Sequence, residues 1–209
     1  MHYGWKAAIA VGFTLVSSLS ALAADMPVKS VSPAPYNWTG LYVGLNAGYG
    51  RCGSPDCSPA MSGGIAGGQI GYNWQVNQIV FGVEADAQAA WIKQTSTLGG
   101  VTTEAKNNSN GTVRGRLGYA VGPALIYGTG GWAWANNEVS ATLGGVTASA
   151  KFAQYGYAAG GGLEYAFAPK WSTKVEYLYN HFQSVNVLGV PSGDLNLHAV
   201  KLGINYRFY

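Results

Sequence analysis

The stretch HAVKLGINYRFY, residues 198–209, decides the fold class. Its apolar positions recur with period two. His198, Val200, Leu202, Ile204, Tyr206 and Phe208 share one face, and Ala199, Lys201, Gly203, Asn205 and Arg207 share the other. That is the alternation of a strand, not of a helix. One face is apolar and ends on two aromatic rings; the other carries two cations, an amide and a glycine. A tilted strand of about ten residues crosses a hydrocarbon core. The stretch therefore predicts a bilayer-spanning strand, with lipid on one side and a polar interior on the other.

The rest of the chain repeats that pattern. Strands are expected at residues 38–49, 65–75, 80–91, 112–120, 124–135, 154–167, 171–181 and in the closing stretch. The third is the clearest: Phe81, Val83, Ala85, Ala87, Ala89 and Trp91 oppose Gly82, Glu84, Asp86 and Gln88. The fifth is ambiguous, because Leu125, Tyr127 and Thr129 compete with Ile126, Trp132 and Trp134 for the outer face. Connections alternate long and short. Short turns stand at 76–78, 121–123 and 168–170, and long loops at 92–110, 136–151 and 182–194. Short periplasmic turns with long extracellular loops are the rhythm of outer-membrane barrels. The expected fold is all-β, an eight-stranded antiparallel up-and-down transmembrane β-barrel, at the small end of the known range. Thr97-Leu98-Gly99-Gly100-Val101-Thr102 recurs as Thr142-Leu143-Gly144-Gly145-Val146-Thr147. A Gly-Gly pair suits a type I′ turn, where both central residues need positive φ. Two of the long loops are thus expected to be hairpins that project above the membrane.

Composition agrees. Only 10 % of the 209 residues are charged, while 48 % are hydrophobic. Soluble domains carry about 25 % charge. With a net charge of +3 and no Lys/Arg cluster, there is no nucleic-acid footprint. Alternation alone would also fit a soluble barrel of the lipocalin kind, with its apolar face inward. Sparse charge argues against a watery exterior. So do two girdles of aromatic residues at the strand ends. Trp74, Tyr119, Tyr165, Phe167, Trp171, Tyr206 and Phe208 lie toward the turns; Tyr49, Trp91, Tyr157, Tyr177 and Tyr179 lie toward the loops.

Residues 1–23 read as a signal peptide: Lys6 precedes an apolar run too short to span, and Ala21-Leu22-Ala23 is an A-x-A site. Residues 24–37, with Pro27, Pro33 and Pro35, read as a Pro-rich periplasmic linker, leaving 38–209 for the barrel. Cys52 and Cys57 are the only two cysteines. After export to an oxidising compartment, a disulfide within their loop is the expectation.

The polar faces assign a lumen charge network. Its acids are Glu84, Asp86, Glu164 and Glu176; its bases are Arg114, Arg116, Lys174, Lys201 and Arg207. Strand adjacency brings Glu84 and Asp86 near Arg114 and Arg116, Glu164 near Lys174, and Glu176 near Lys201. A barrel of about eight strands is just wide enough for side chains to fill. Unpaired charges in it are costly, so a paired, closed interior is expected.

Trp38-Thr39-Gly40-Leu41-Tyr42-Val43-Gly44, Thr112-Val113-Arg114-Gly115-Arg116-Leu117-Gly118-Tyr119 and the closing strand resemble the small porin-like outer-membrane β-barrel family of alphaproteobacteria. That family includes surface antigens and is distantly similar to OmpA-type transmembrane domains. Lys201, Gly203, Tyr206 and Phe208 resemble the C-terminal signal read by the barrel assembly machinery, although Tyr209 extends the chain one residue past the usual end. The resemblance implies a bacterial outer-membrane location, outer-membrane lipids and lipopolysaccharide as surroundings, and contact with a host or surface partner through the loops. It implies a role in envelope integrity and surface interaction; a narrow porin for small solutes is the alternative. An enzyme is not expected. His181 is the only rim histidine, with Ser184 and Asp194 near it in sequence. No phosphate loop, zinc spacing or nucleophile elbow occurs. No cofactor, metal or nucleic-acid partner is expected.

Overall fold

The computed structural model describes residues 36–52, 61–98, 100–184, 186–187, 190–191 and 194–208. The strands are β1 (Gly40–Cys52), β2 (Met61–Val76), β3 (Ile79–Leu98), β4 (Val101–Val121), β5 (Ala124–Leu143), β6 (Val146–Ala168), β7 (Trp171–Phe182), β8 (Asn186–Val187), β9 (Val190–Pro191) and β10 (Leu195–Phe208). Eight of them close into an antiparallel barrel in the order β1-β10-β7-β6-β5-β4-β3-β2. The pair β8–β9 is a small hairpin in the last long connection. The closing stretch seals the ring: β10 pairs with β1 from Leu41↔Phe208 to Arg51↔His198. Closure leaves no sheet edge within the barrel, the condition for placing strands in lipid.

Period two sorts the residues as expected. Leu45, Ile70, Val83, Val113, Leu117, Leu163, Val175 and Leu202 are exposed on the outer wall. Their neighbours Asn46, Gln69, Glu84, Arg114, Arg116, Glu164, Lys174 and Lys201 are buried inside. The phase of β5 is resolved: Leu125, Tyr127, Ala133 and Ala135 are buried in the lumen, while Ile126 and Trp132 are exposed outside. Neighbours settle the choice. Outward Trp134 lies over Gly111 on β4, where a Cβ would collide with its ring.

The two girdles form. At the turn end Trp74 stacks on Phe81 at 5.7 Å, and Trp171 meets Tyr206 edge-on at 5.1 Å. At the loop end Trp132 stacks on Tyr155 at 5.6 Å, and Tyr157 lies 6.3 Å from Tyr179.

Two differences from the sequence reading concern length. Most of residues 92–110 and 136–151, read as loops, continue the strands: β3 to β6 run to 20, 21, 20 and 23 residues. β1, β7 and β10 have only 13, 12 and 14. The four long strands therefore stand beyond the barrel as one sheet. Its Thr- and Val-rich sequence suits strand backbone. Gly144 and Gly145 turn it with φ of 57° and 86°, as a type I′ turn requires. Register shifts at Ala89/Ile92 and Asn107/Ser109 lie where β3 and β4 leave the barrel, and such bulges bend strands at barrel rims.

The second difference is at the other end. Tyr36 and Asn37, read as linker, and Trp38, read as strand, together cap the turn end. Trp38 is fully buried, with its backbone N–H donating to Gln75 Oε1 at 2.6 Å. The signal-peptide assignment, residues 24–35 of the linker, Cys57 and Tyr209 fall outside the described residues.

Candidate functional site

The lumen is filled in three tiers. At the loop end lies an apolar cluster that includes Ile65, Ile92, Ala133, Leu178, Phe182 and Leu197. Cys52 belongs to it and is disulfide-bonded. At the turn end Trp38, Val80, Leu125, Tyr127 and Ala166 form a second apolar cluster, with Tyr36 packed against it. Between them sits the charge network. All nine of its side chains are at most 4 % exposed.

The geometry is that of a bundle tied across the barrel. Glu84 is the hub. It accepts from Arg114 Nη2 at 2.6 Å, from Lys174 Nζ at 2.9 and 3.0 Å, and from the Tyr42 hydroxyl at 2.7 Å. Arg114 also reaches Asp86 at 3.0 Å and Glu176 at 3.1 Å. Lys201 bridges Asp86 and Glu176, each at 3.1 Å. Arg116 pairs with Glu164 at 2.8 Å, donates to Tyr42 at 3.1 Å and lies 4.0 Å from the centre of the Tyr127 ring. Tyr127 donates to Glu176 at 3.0 Å. Ser172 and Asn205 donate to Glu164 at 2.6 and 2.9 Å. Asn205 continues through Gln69 to Asn46. Arg207 lies 4.0 Å from Glu164 and 4.6 Å from the Trp38 ring centre, and donates to the Asn37 carbonyl at 3.1 Å, joining the network to the turn-end cap.

The structure brings together Glu84 and Asp86 with Arg114, Glu84 with Arg116, and Glu176 with Lys201, as strand adjacency suggested. It does not make the Glu164–Lys174 pair. These two face each other in the β6–β7 register, but Lys174 crosses to Glu84 and Glu164 turns to Arg116. β3 and β7 are diametrically opposed in the ring: β4, β5 and β6 intervene one way, and β2, β1 and β10 the other. In so narrow a barrel the far wall is as reachable as the neighbouring strand.

Tyr42, Tyr127, Ser172, Asn205 and Gln69 belong to the network but were not assigned to it from sequence. For Tyr42 the cue was present: it has inward parity, and Gly71 gives its ring room, since a Cβ there would strike the phenol. Tyr127 was hidden by the ambiguous phase of its strand.

The remaining sequence candidates separate. Lys201 of the C-terminal motif is a lumen ion, whereas Phe208 is exposed and packs edge-on against Tyr206 at 5.0 Å. His181 is held by Asn196 at 2.7 Å. The Asp194 carboxylate accepts from the Ser184 backbone N–H at 2.9 Å. The Ser184–Asp194 contact thus runs through the serine's backbone N–H, and His181 takes Asn196 as a partner. Among the described residues no group of three or more His, Cys, Asp or Glu is placed to hold a metal ion.

Residues 11–208 match the family described as the outer membrane protein beta-barrel domain. The chain is 34 % identical over 239 residues to the 31 kDa outer-membrane immunogenic protein of Brucella melitensis, covering 97 % of this chain and 100 % of that protein. It is 36 % identical over 191 residues to the 22 kDa outer membrane protein of Rhizobium leguminosarum, covering 89 % and 83 % respectively. Among solved structures, Neisserial surface protein A superposes with a TM-score of 0.52 at 17 % identity, covering 81 % of this chain and 98 % of that one. That last likeness speaks to the fold alone.

Proposed function

Since the chain belongs to the outer membrane protein beta-barrel domain family, we propose that it is a structural, surface-displayed barrel whose lumen is closed to solutes. The observation that carries this reading is the three-tier filling of the interior. Nine charges are paired across the lumen and flanked by apolar clusters at both ends. Each carboxylate already lies against a cation, so an entering ion would have to displace a protein partner.

The sheet made by β3 to β6 beyond the barrel supports the second half of the proposal. It offers surface for a host or environmental partner, and relatives are named as immunogenic outer-membrane proteins. The closing strand, with Tyr206 and Phe208 on its lipid face, would engage the assembly machinery during insertion.

Planar-bilayer recording of the refolded protein tests the closed lumen. The wild type is expected to show no stable, large conductance steps. A double variant, Trp38→Ala with Glu84→Gln, loosens the turn-end cap and the hub, and is expected to flicker open. Persistent steps in the wild type would replace this reading with a narrow porin for small solutes. A deletion strain should gain sensitivity to detergents and bile salts, the phenotype of a weakened envelope.

A further inference from the structure

The lumen network takes nine of the charged side chains and leaves the outer wall nearly bare of charge. One exception is Arg51, near the loop end of β1. It is exposed and shares the outward parity of Leu41, Leu45 and Tyr49. Among the described residues no carboxylate is paired with it. Its cross-strand partners are His198 on β10 and Ser62 on β2. Directly opposed side chains on one face lie about 5 Å apart at Cβ, so these three polar groups form a row across three strands.

The row is ordered by tyrosines. The Tyr49 hydroxyl donates to Ser62 Oγ at 2.7 Å. The Tyr177 hydroxyl lies 2.6 Å from His198 Nδ1. With Tyr177 donating there, the neutral imidazole carries its proton on Nε2, an N–H donor for an anion. The Tyr179 ring lies 5.2 Å from the His198 ring and its hydroxyl donates to Asn196 Oδ1 at 2.7 Å, continuing the polar row toward the rim. Toward the barrel's middle the wall turns apolar at once: Val200, Leu202 and Leu45 are exposed. The surface is therefore split along the strand direction, with an arginine and N–H and O–H groups above and hydrocarbon below.

We propose that Arg51, His198 and Ser62 form a binding site for the phosphorylated sugar headgroup of an outer-leaflet glycolipid, whose acyl chains lie along Leu45, Val200 and Leu202. An arginine at this depth matches a phosphate bidentately. The tyrosine-framed hydroxyl and imidazole groups suit the sugar hydroxyls around it. An amphiphile is the occupant that meets both halves of the split surface. The proposal rests on the loop end facing outward, as in the proposed function.

The test titrates refolded protein in neutral detergent micelles with diphosphorylated lipid A, and follows bound lipid by native mass spectrometry. Arg51→Gln with His198→Gln is expected to weaken binding at least tenfold. Lys170→Gln, at the opposite rim, should leave it unchanged, and dephosphorylated lipid A should bind the wild type as weakly as the double variant binds the phosphorylated form. Retained heat-modifiable gel mobility certifies the fold of each variant. Equal binding by the double variant, equal loss in Lys170→Gln, or equal retention of dephosphorylated lipid A would overturn the site. Equal binding of phosphatidylglycerol would overturn the glycolipid assignment. Micelle binding is blind to conductance and orientation, so failure here leaves the closed-lumen reading standing, and a conducting barrel leaves this one standing.

Discussion

Leu117 on β4 and Leu143 at the tip of β5 are exposed to nearly the same degree, 63 % and 60 %, yet they belong to different solvents. Leu117 lies in the barrel wall, with Phe81 and Gly128 beside it across the strands and Arg116 buried behind it. Leu143 sits in a hairpin whose neighbouring rung is a Thr142–Thr147 hydroxyl contact at 2.9 Å. The same β-sheet thus passes from a wall with an apolar outer face and buried ions inside to a hairpin tip exposed on both faces. Below the rim the inner face carries the charge, and Arg51 is an exception on the outer face; above it, Glu104, Lys106, Glu138 and Lys151 are scattered and partly or fully exposed. Polar groups count for most where water is missing, so the two regions should respond differently to the same chemistry.

The largest expected contrast is between two glutamates. Glu84→Ala removes the hub, leaving buried Lys174, among the described residues, with only a 3.8 Å contact to Glu176 and Arg114 with Asp86 and Glu176. Breaking a buried ion pair typically costs about 3–5 kcal/mol. Glu138→Ala in the hairpin removes a 4.0 Å contact to exposed Lys151 and an exposed 3.2 Å hydrogen bond from Asn108, each worth about 1 kcal/mol or less. Urea unfolding in lipid vesicles, followed by tryptophan fluorescence, should show a large loss for the first and almost none for the second. Equal losses would mean that the hairpin is as integral to the fold as the lumen.

The two leucines supply the next contrast. Leu117→Arg puts a cation into the hydrocarbon near the midplane, at a cost of about 2–4 kcal/mol. Leu143→Arg leaves the cation in water and should fold like the wild type. Insertion yield into vesicles, read by heat-modifiable mobility, checks both. If Leu143→Arg also inserts poorly, the hairpins lie against the membrane instead of standing above it.

What was legible in the sequence follows the same division. Where one face meets lipid and the other a polar lumen, period two separates them, and β1, β2, β3, β4, β6, β7 and β10 were phased correctly from residues such as Val83/Glu84, Leu163/Glu164 and Leu202/Lys201. β5 was not, because its lumen face is itself apolar: Leu125 and Ala133 pack in the end clusters, so alternation weakens. The cap was missed because Tyr36 to Trp38 carry no period at all; their placement depends on Arg207 and Gln75, distant in sequence. Charge pairs were inferred along the wall, since sequence conveys strand adjacency but not diameter, and the Glu84–Lys174 tie across the ring lay beyond that inference. Strand length past the rim was underestimated because polar Thr, Ser and Asn read as loop when neither face is apolar.

The smallest effect concerns the turn of the β5–β6 hairpin. Gly145 has φ of 86° and Gly144 57°, and a Cβ at either position would meet nothing within 4 Å. The obstacle to a side chain is therefore the backbone conformation and not space. A β-branched residue at position 145 is disfavoured by about 1–2 kcal/mol in the left-handed region. Gly145→Val should fray the Thr142–Thr147 rung and the residues beyond it. The barrel should not feel this strain, because the frayed tip is separated from the lumen by the inner amide ladder of Asn107, Asn137 and Gln154, linked at 2.9 and 2.7 Å. Limited proteolysis should cut the variant's hairpin several-fold faster than that of the wild type, while the unfolding midpoint of the barrel stays the same. A lowered midpoint would show that strain passes through the ladder, and that barrel and hairpin fold as one cooperative unit.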